Sequence, residues 1–139
     1  MRTLKRKLTI DLNKVLKVLK STLPGLFIYQ PSKESDLVNM TYAALTLKLK
    51  DLKVSPEAEP VIHLGKSHKP DLVVEDQVAI EVKLAKSRDA AAKAIVQAEM
   101  YRKGGYPAAI AVIYPLIEYD VERKQLEKLA SNQVYVVIL

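Results

Sequence analysis

Asp71, Glu81 and Lys83 are the residues of this chain whose types and spacing could do chemistry together. They fall within Lys69 to Lys83, which reads as two short apolar strands joined by the polar turn Glu75-Asp76-Gln77. Asp71 opens the first strand, and Glu81 and Lys83 sit near the end of the second. Pairing of the two strands as a hairpin would bring the three side chains to one end of a sheet. Two carboxylates suit a hard divalent cation that keeps several of its waters, and an ammonium beside them suits phosphate.

The spacing of Glu81 and Lys83 is weak evidence until its context is added. The chain has three acid-x-Lys triplets: Asp51-Leu52-Lys53, Glu81-Val82-Lys83 and Glu122-Arg123-Lys124. The first falls at the end of an expected helix. The third falls within one, where residues two apart face different ways. Glu81-Val82-Lys83 alone ends an apolar strand, where residues two apart share a face. Val82 then faces the opposite, buried side. The plain alternative is a surface hairpin carrying a Glu–Lys pair, which contributes little to stability.

The elements that must position these residues follow from periodicity. Apolar residues at Leu12, Val15, Leu16, Leu19 and Leu23 predict a helix over Ile10–Leu23, ended by Pro24-Gly25. Residues 26–30 read as a short strand or a buried connection. A second helix is predicted from Pro31-Ser32 to about Asp51, with Ser32 as its cap and Glu34 in its first turn. Residues 54–60 read as a loop, Val61–Leu64 as a strand and Gly65–His68 as a turn. Beyond the hairpin, Asp89 is expected to cap a helix over Ala90–Lys103, closed by Gly104-Gly105. Ala108–Tyr114 is nearly all apolar, as a strand covered on both faces would be. A helix capped by Asp120 and a last strand at Gln133–Leu139 complete the chain. The fold class expected is α/β, with a mixed sheet flanked by helices.

The length of 139 residues suits one domain, and composition is ordinary for a globular protein at 49% hydrophobic and 27% charged. No apolar run is long enough for a membrane span, and the basic N-terminal stretch lacks a signal peptide's apolar segment. A cytoplasmic location and no membrane partner are therefore expected. With no cysteine, there is no disulfide framework, cysteine-ligated zinc or iron–sulfur cluster. The net charge of +6 is unevenly placed. Residues 1–20 hold seven basic residues and one acid, while the other 119 hold 15 of each. The basic N-terminal segment bearing Lys5, Arg6, Lys7, Lys14 and Lys17 thus has three readings: tracking a DNA backbone, lying on a membrane surface, or packing with a wet side.

Pro70-Asp71, followed after nine residues by Glu81-Val82-Lys83, resembles the signature of the PD-(D/E)XK nuclease superfamily. The expected α-β-β-β-α-β order over residues 32–114 is similar to that superfamily's core. Gln97-Ala98-Glu99-Met100-Tyr101 resembles the Gln-x-x-x-Tyr element of its RecB-like branch. The resemblance implies a restriction-endonuclease-like domain over residues 31–139, preceded by a basic helical extension over residues 1–30. It implies a DNA nuclease using Mg²⁺ or Mn²⁺. Asp71 and Glu81 would be ligands, with the Val82 carbonyl a third, and Lys83 would act on the attacking water or on developing charge.

Glu34 matches an acid that many members carry on the helix before the sheet. It is read either as a further ligand or as a helix-start acid. His63 is read as a metal ligand, as in some RecB-like nucleases, or as a simple histidine. Gln97 and Tyr101 would brace the site and touch substrate, or merely pack their helix. Lys86, Arg88 and Lys93 would contact phosphates, or merely solvate a helix start. Archaeal Holliday junction resolvases, which act as homodimers, are of similar length and carry a similar acidic and lysine set. CRISPR-associated exonucleases usually carry a cysteine-ligated cluster, which this chain cannot have. A non-catalytic nucleic-acid-binding module on the same fold is the competing expectation.

Overall fold

The computed structural model describes residues 7–56, 58–63, 65–116, 123–129 and 131–139, with residues 63, 123 and 124 described by their backbone alone. Helix α1, Leu12–Lys17, starts under a cap in which the Asp11 carboxylate accepts from the Asn13 N–H at 3.0 Å. It runs on through a wider π-helical turn, Val18–Thr22, into a single 3₁₀ turn at Pro24–Leu26. No strand forms at residues 26–30.

Helix α2 spans Glu34–Lys48 and buries Leu37, Thr41, Ala44 and Leu45, the face that the spacing predicts. Its start differs from expectation. Lys33, rather than Ser32, holds the capping position, and no side chain caps it. Glu34 and Asp36 in the first turn supply the negative charge that a helix start favours.

Among the described residues the main sheet holds five strands, in the order β1 (Val54–Ser55), β4 (Leu72–Val74), β5 (Val78–Ala85), β6 (Ala108–Pro115) and β7 (Val134–Ile138). Strand β1 is only Val54–Ser55, inside the stretch expected to be loop, and it pairs antiparallel with β4, Leu72–Val74. The expected strand at residues 61–64 does begin at Val61, but it belongs elsewhere. As β2, Val61–His63, it forms a separate antiparallel ribbon with β3, Lys66–His68, the stretch read as a turn.

Strands β4 and β5, Val78–Ala85, form the expected antiparallel hairpin. Glu75 and Asp76 both have positive φ, 52° and 56°, and the Gln77 N–H donates to the Val74 carbonyl at 2.9 Å. Because Val74 pairs with Val78, the connection is three residues long, Glu75–Gln77, with its first two residues in the left-handed region.

Helix α3 spans Arg88–Lys103. Its cap is Ser87, whose hydroxyl accepts from the Ala90 N–H at 3.1 Å, and Asp89 sits in the first turn instead. Gly104 ends it where the ribbon crosses: a Cβ there would lie 2.4 Å from the Val61 Cβ. Strand β6, Ala108–Pro115, runs parallel to β5, and its first six residues are buried, as a doubly covered strand requires. Helix α4, Arg123–Glu127, precedes β7, Val134–Ile138, which is parallel to β6. Asp120, its expected cap, lies outside the described residues.

Strand parity divides the core in two. Val78, Ile80, Val82 and Leu84 pack with Val15, Leu19 and Leu23 of the N-terminal helical segment and with Leu37 and Leu45 of α2. Ala79 and Ala85 face the other way, toward Ala91, Ala94, Ile95 and Ala98 of α3. The alanines on both elements let helix and sheet approach closely. By the same parity Glu81 and Lys83 lie on the α3 side of the sheet. No helix among the described residues is long and apolar enough to cross a membrane.

Candidate functional site

The hairpin sets Asp71 opposite Glu81. The Asp71 N–H donates to the Ile80 carbonyl at 3.0 Å, which fixes the backbone at the mouth of β4. Its Oδ2 accepts from the Val82 N–H at 2.7 Å. In an extended strand the N–H and carbonyl of one residue point to the same side. The Val82 carbonyl therefore faces this edge too, and buried Pro70 beyond Asp71 has no N–H to engage it.

The Asp71 and Glu81 carboxyls lie close enough for each to act on the other's titration. Burial pushes the Glu81 carboxyl up to about 8, and the neighbouring Asp71 charge adds to this. Burial also raises Asp71, against the lowering effect of the Val82 N–H. Both carboxyls are thus raised, and the pair holds its last proton more tightly than free carboxylates do.

Helix α3 braces the pair. The Tyr101 hydroxyl donates to Glu81 Oε1 at 2.7 Å and lies 2.9 Å from the Lys69 carbonyl oxygen. Burial, then the Glu81 charge, pushes the Tyr101 phenol up, so it stays protonated as a donor. Gln97 Nε2 donates to the Tyr101 hydroxyl at 3.3 Å and sits 2.9 Å from His68 Nδ1. With the Gln97 amide in that orientation, the His68 Nδ1 accepts and its ring proton is on Nε2. Tyr101 is 1% exposed, so it supports the carboxylates and presents no surface to a nucleic acid.

His68 is the member of this network that sequence reasoning missed. It was hidden in a segment read as a turn, although it stands three residues before Asp71. His63 pairs with Lys66 on the ribbon, and its side chain lies outside the described atoms.

Glu34 is placed on the flank. Its Oε1 accepts from the Leu84 N–H at 3.0 Å and lies 3.6 Å from Lys83 Nζ. Both side chains of that ion pair are more than a third exposed, so it orients Lys83 more than it stabilises the fold. Among the described residues, no three His, Asp or Glu side chains gather closely enough to hold a metal ion by themselves. Asp71 and Glu81, joined by the Val82 carbonyl, therefore form a two-carboxylate oxygen set without Glu34. Such a set fits Mg²⁺ or Mn²⁺, which bind through one or two carboxylates and keep several waters.

A shallow cleft of about 490 Å³ opens beside Lys83. Ser32, Lys33, Glu34, Leu84, Lys86 and Ala90 line it with Lys83. Lys86 is where a phosphate contact was expected, and Lys33 was not foreseen, because it reads as an ordinary helix-start residue. Arg88 instead donates to Gln125 near the end of the chain. Lys93 is exposed on α3. Lys5 and Arg6 lie outside the described residues, and Lys7, Lys14 and Lys17 are exposed. Lys14 lines a separate hollow with Lys48, Lys50 and Asp51, at the opposite end of α2 from Glu34. The lysines of the first helix are thus not gathered into the cleft. No family model, curated protein or solved structure matches the chain.

Proposed function

We propose that this protein is a divalent-metal-dependent nuclease that hydrolyses phosphodiester bonds in DNA on a restriction-endonuclease-like core. The observation that carries the reading is the pair Asp71 and Glu81, held at the mouth of the hairpin by the Val82 N–H and the Tyr101 hydroxyl, with Lys83 two residues further on. Two carboxyls crowded into a partly buried site repel each other's charge, and a bound divalent cation relieves that repulsion. When bound, Mg²⁺ or Mn²⁺ supplies charge neutralisation at the phosphate and makes water easier to deprotonate.

The remaining chemistry belongs to the chain. Lys83, held by Glu34, orients the attacking water or balances charge developing on phosphorus. The water oxygen bonds to phosphorus and releases a proton to solvent, the phosphorus–oxygen bond to the leaving nucleotide breaks, and the leaving oxygen takes up a proton from solvent in return. Gln97 and Tyr101 keep Glu81 in place, the bracing role that the RecB-like resemblance implies. Either a RecB-like minimal nuclease or a junction resolvase is compatible with this site. A homodimer is part of the proposal, because an open face of this size needs a second subunit to grip a duplex.

The test is incubation of supercoiled, linear, single-stranded and four-way-junction DNA with Mg²⁺ or Mn²⁺. Cleavage is expected with wild type and is expected to fall by roughly a hundredfold or more in Asp71→Asn and Lys83→Ala. Absence of metal-dependent cleavage on every substrate would sink the enzyme reading. The second reading is a non-catalytic nucleic-acid-binding module. It is favoured by one observation: Glu34 is committed to the Leu84 N–H and Lys83, leaving the carboxylate pair without a third acid. Equal DNA binding by wild type and both variants, with no cleavage by any, would decide for it.

A further inference from the structure

Ile28 and Tyr29 are each 85% exposed, more than any other large apolar residue among those described. They do not belong to a loose segment. Phe27, just before them, packs edge-on against Tyr114, with ring centroids 5.0 Å apart at 66°. Pro31, just after them, is buried. The tip between these anchors is three residues long and turns two apolar side chains into solvent. Its position follows from the sheet. Tyr114 is the register partner of Leu84 across β5 and β6, and Leu84 lines the cleft with Lys33, Lys83 and Lys86. The tip also runs directly into Ser32 and Lys33 on the cleft wall. An aliphatic and an aromatic side chain thus stand beside a cleft lined by Lys33, Lys83 and Lys86 with Glu34 among them, and Lys83 is two residues from Glu81 on β5.

We propose that this tip stacks on unpaired bases, and that the substrate class is single-stranded DNA or the unpaired arm of a frayed or branched duplex. The inference rests on the nuclease reading for the identity of the polymer. Lysines follow phosphates without regard to sequence, and an aromatic ring offers a face to any base that has left its stack. Bases within a paired duplex have no free face for a loop tip to cover. Ile28 beside the ring serves as a wedge that keeps the neighbouring base from restacking. Charge argues against a second copy as the occupant. A self-contact through this rim would bring together two clefts that each hold three lysines against one acid, Glu34, whereas a nucleic-acid backbone neutralises the excess.

The test is fluorescence anisotropy in EDTA, so that binding is read without cleavage. The probes are a labelled oligothymidine and a blunt duplex of equal length. Wild type is expected to prefer the single strand. Tyr29→Ala is expected to weaken single-strand binding by roughly tenfold and leave duplex binding unchanged, with Tyr29→Phe close to wild type. Lys33→Ala and Lys86→Ala are expected to flatten the salt dependence by about 0.7 in the log–log slope for each lysine. Leu47→Ser, an exposed apolar residue at the far end of α2, controls for surface apolarity and is expected to change nothing.

Equal loss on both probes in Tyr29→Ala, or no loss on either, overturns the proposal. So does a Tyr29→Ala variant that keeps DNA binding but loses self-association in sedimentation or binding to anionic vesicles. Cleavage is scored separately. A Tyr29-dependent single-strand preference without any cleavage removes the enzyme reading and leaves this one standing. Metal-dependent cleavage with an unchanged preference in Tyr29→Ala does the reverse.

Discussion

A carboxyl raised to about 8 leaves a thermodynamic record, and Glu81 should show it. The folded protein binds the Glu81 proton more tightly than the unfolded chain, whose glutamate titrates near 4.5. The stabilisation from that proton is fully present below the unfolded value and is lost as pH rises through the folded one. Without divalent metal, melting temperature should therefore fall between pH 5 and pH 8, and Glu81→Gln should flatten the dependence. At pH 8 the variant should be more stable than wild type by about 1–3 kcal/mol. Mn²⁺ should stabilise wild type more at pH 8 than at pH 6, because it competes with one proton, and should do nothing for the variant. Differential scanning fluorimetry across pH, with and without Mn²⁺, checks all of this. Tyr101→Phe keeps the buried ring and removes the hydroxyl that holds Glu81 Oε1. It should cost about 1 kcal/mol of stability and weaken Mn²⁺ binding roughly tenfold or more by calorimetry.

At the scale of elements, the β4–β5 turn is the place where local backbone energy and site geometry meet. Asp76 adopts a left-handed conformation that glycine reaches without steric cost, and its side chain is exposed. Asp76→Gly should therefore stabilise the protein by about 0.5–1 kcal/mol in urea titrations, with the denaturant slope unchanged. Glu75 is the poorer position to change, because its carboxylate accepts from the Lys53 N–H and so ties β1 to the hairpin.

This hairpin, α3 and β6 were legible in the sequence because each is long enough, or bounded sharply enough, for period and turn signals to register. Asp71, Glu81, Lys83, Gln97 and Tyr101 were legible with them. Strand β1 was not, since two residues have no period and its place is set by pairing with β4. The ribbon drew the strand assignment away from it and hid His68. The two capping errors are alike: Ser32 and Asp89 are good capping types, but the preceding chain geometry chose Lys33 and Ser87. Lys33 escaped as a cleft residue because only the fold brings it beside Lys86.

For the molecule as a whole, residues 9–23 are tied into the sheet and its core. The Gln77 amide oxygen accepts from the Thr9 N–H at 2.7 Å and the Ile10 N–H at 3.3 Å, and its Nε2 donates to Thr9 Oγ1 at 2.8 Å. The stripe of the first helix then closes over the apolar face of β5. Leu19→Ala should accordingly cost about 2–5 kcal/mol, measured by chemical denaturation. Replacing exposed Lys14 and Lys17 by alanine should leave stability within about 0.5 kcal/mol. The basic residues here were legible as a charge excess, but the placing of Lys14 away from the cleft was not, because charge counting carries no direction.

From Ile80 to Leu84, strand β5 alternates between two duties with every residue. Val78, Ile80, Val82 and Leu84 close the core beneath α1 and α2, while Glu81 and Lys83 face the other way with the candidate chemistry. For the way this sequence can change over generations, the strand is an interleaved text. A saturation library read for both abundance and activity should show two combs offset by one position. One comb would lower the amount of protein recovered, and the other would leave the amount intact and remove its activity. Neither function can drift along this strand without meeting a tooth of the other comb, and a single-residue insertion at the turn would break both at once.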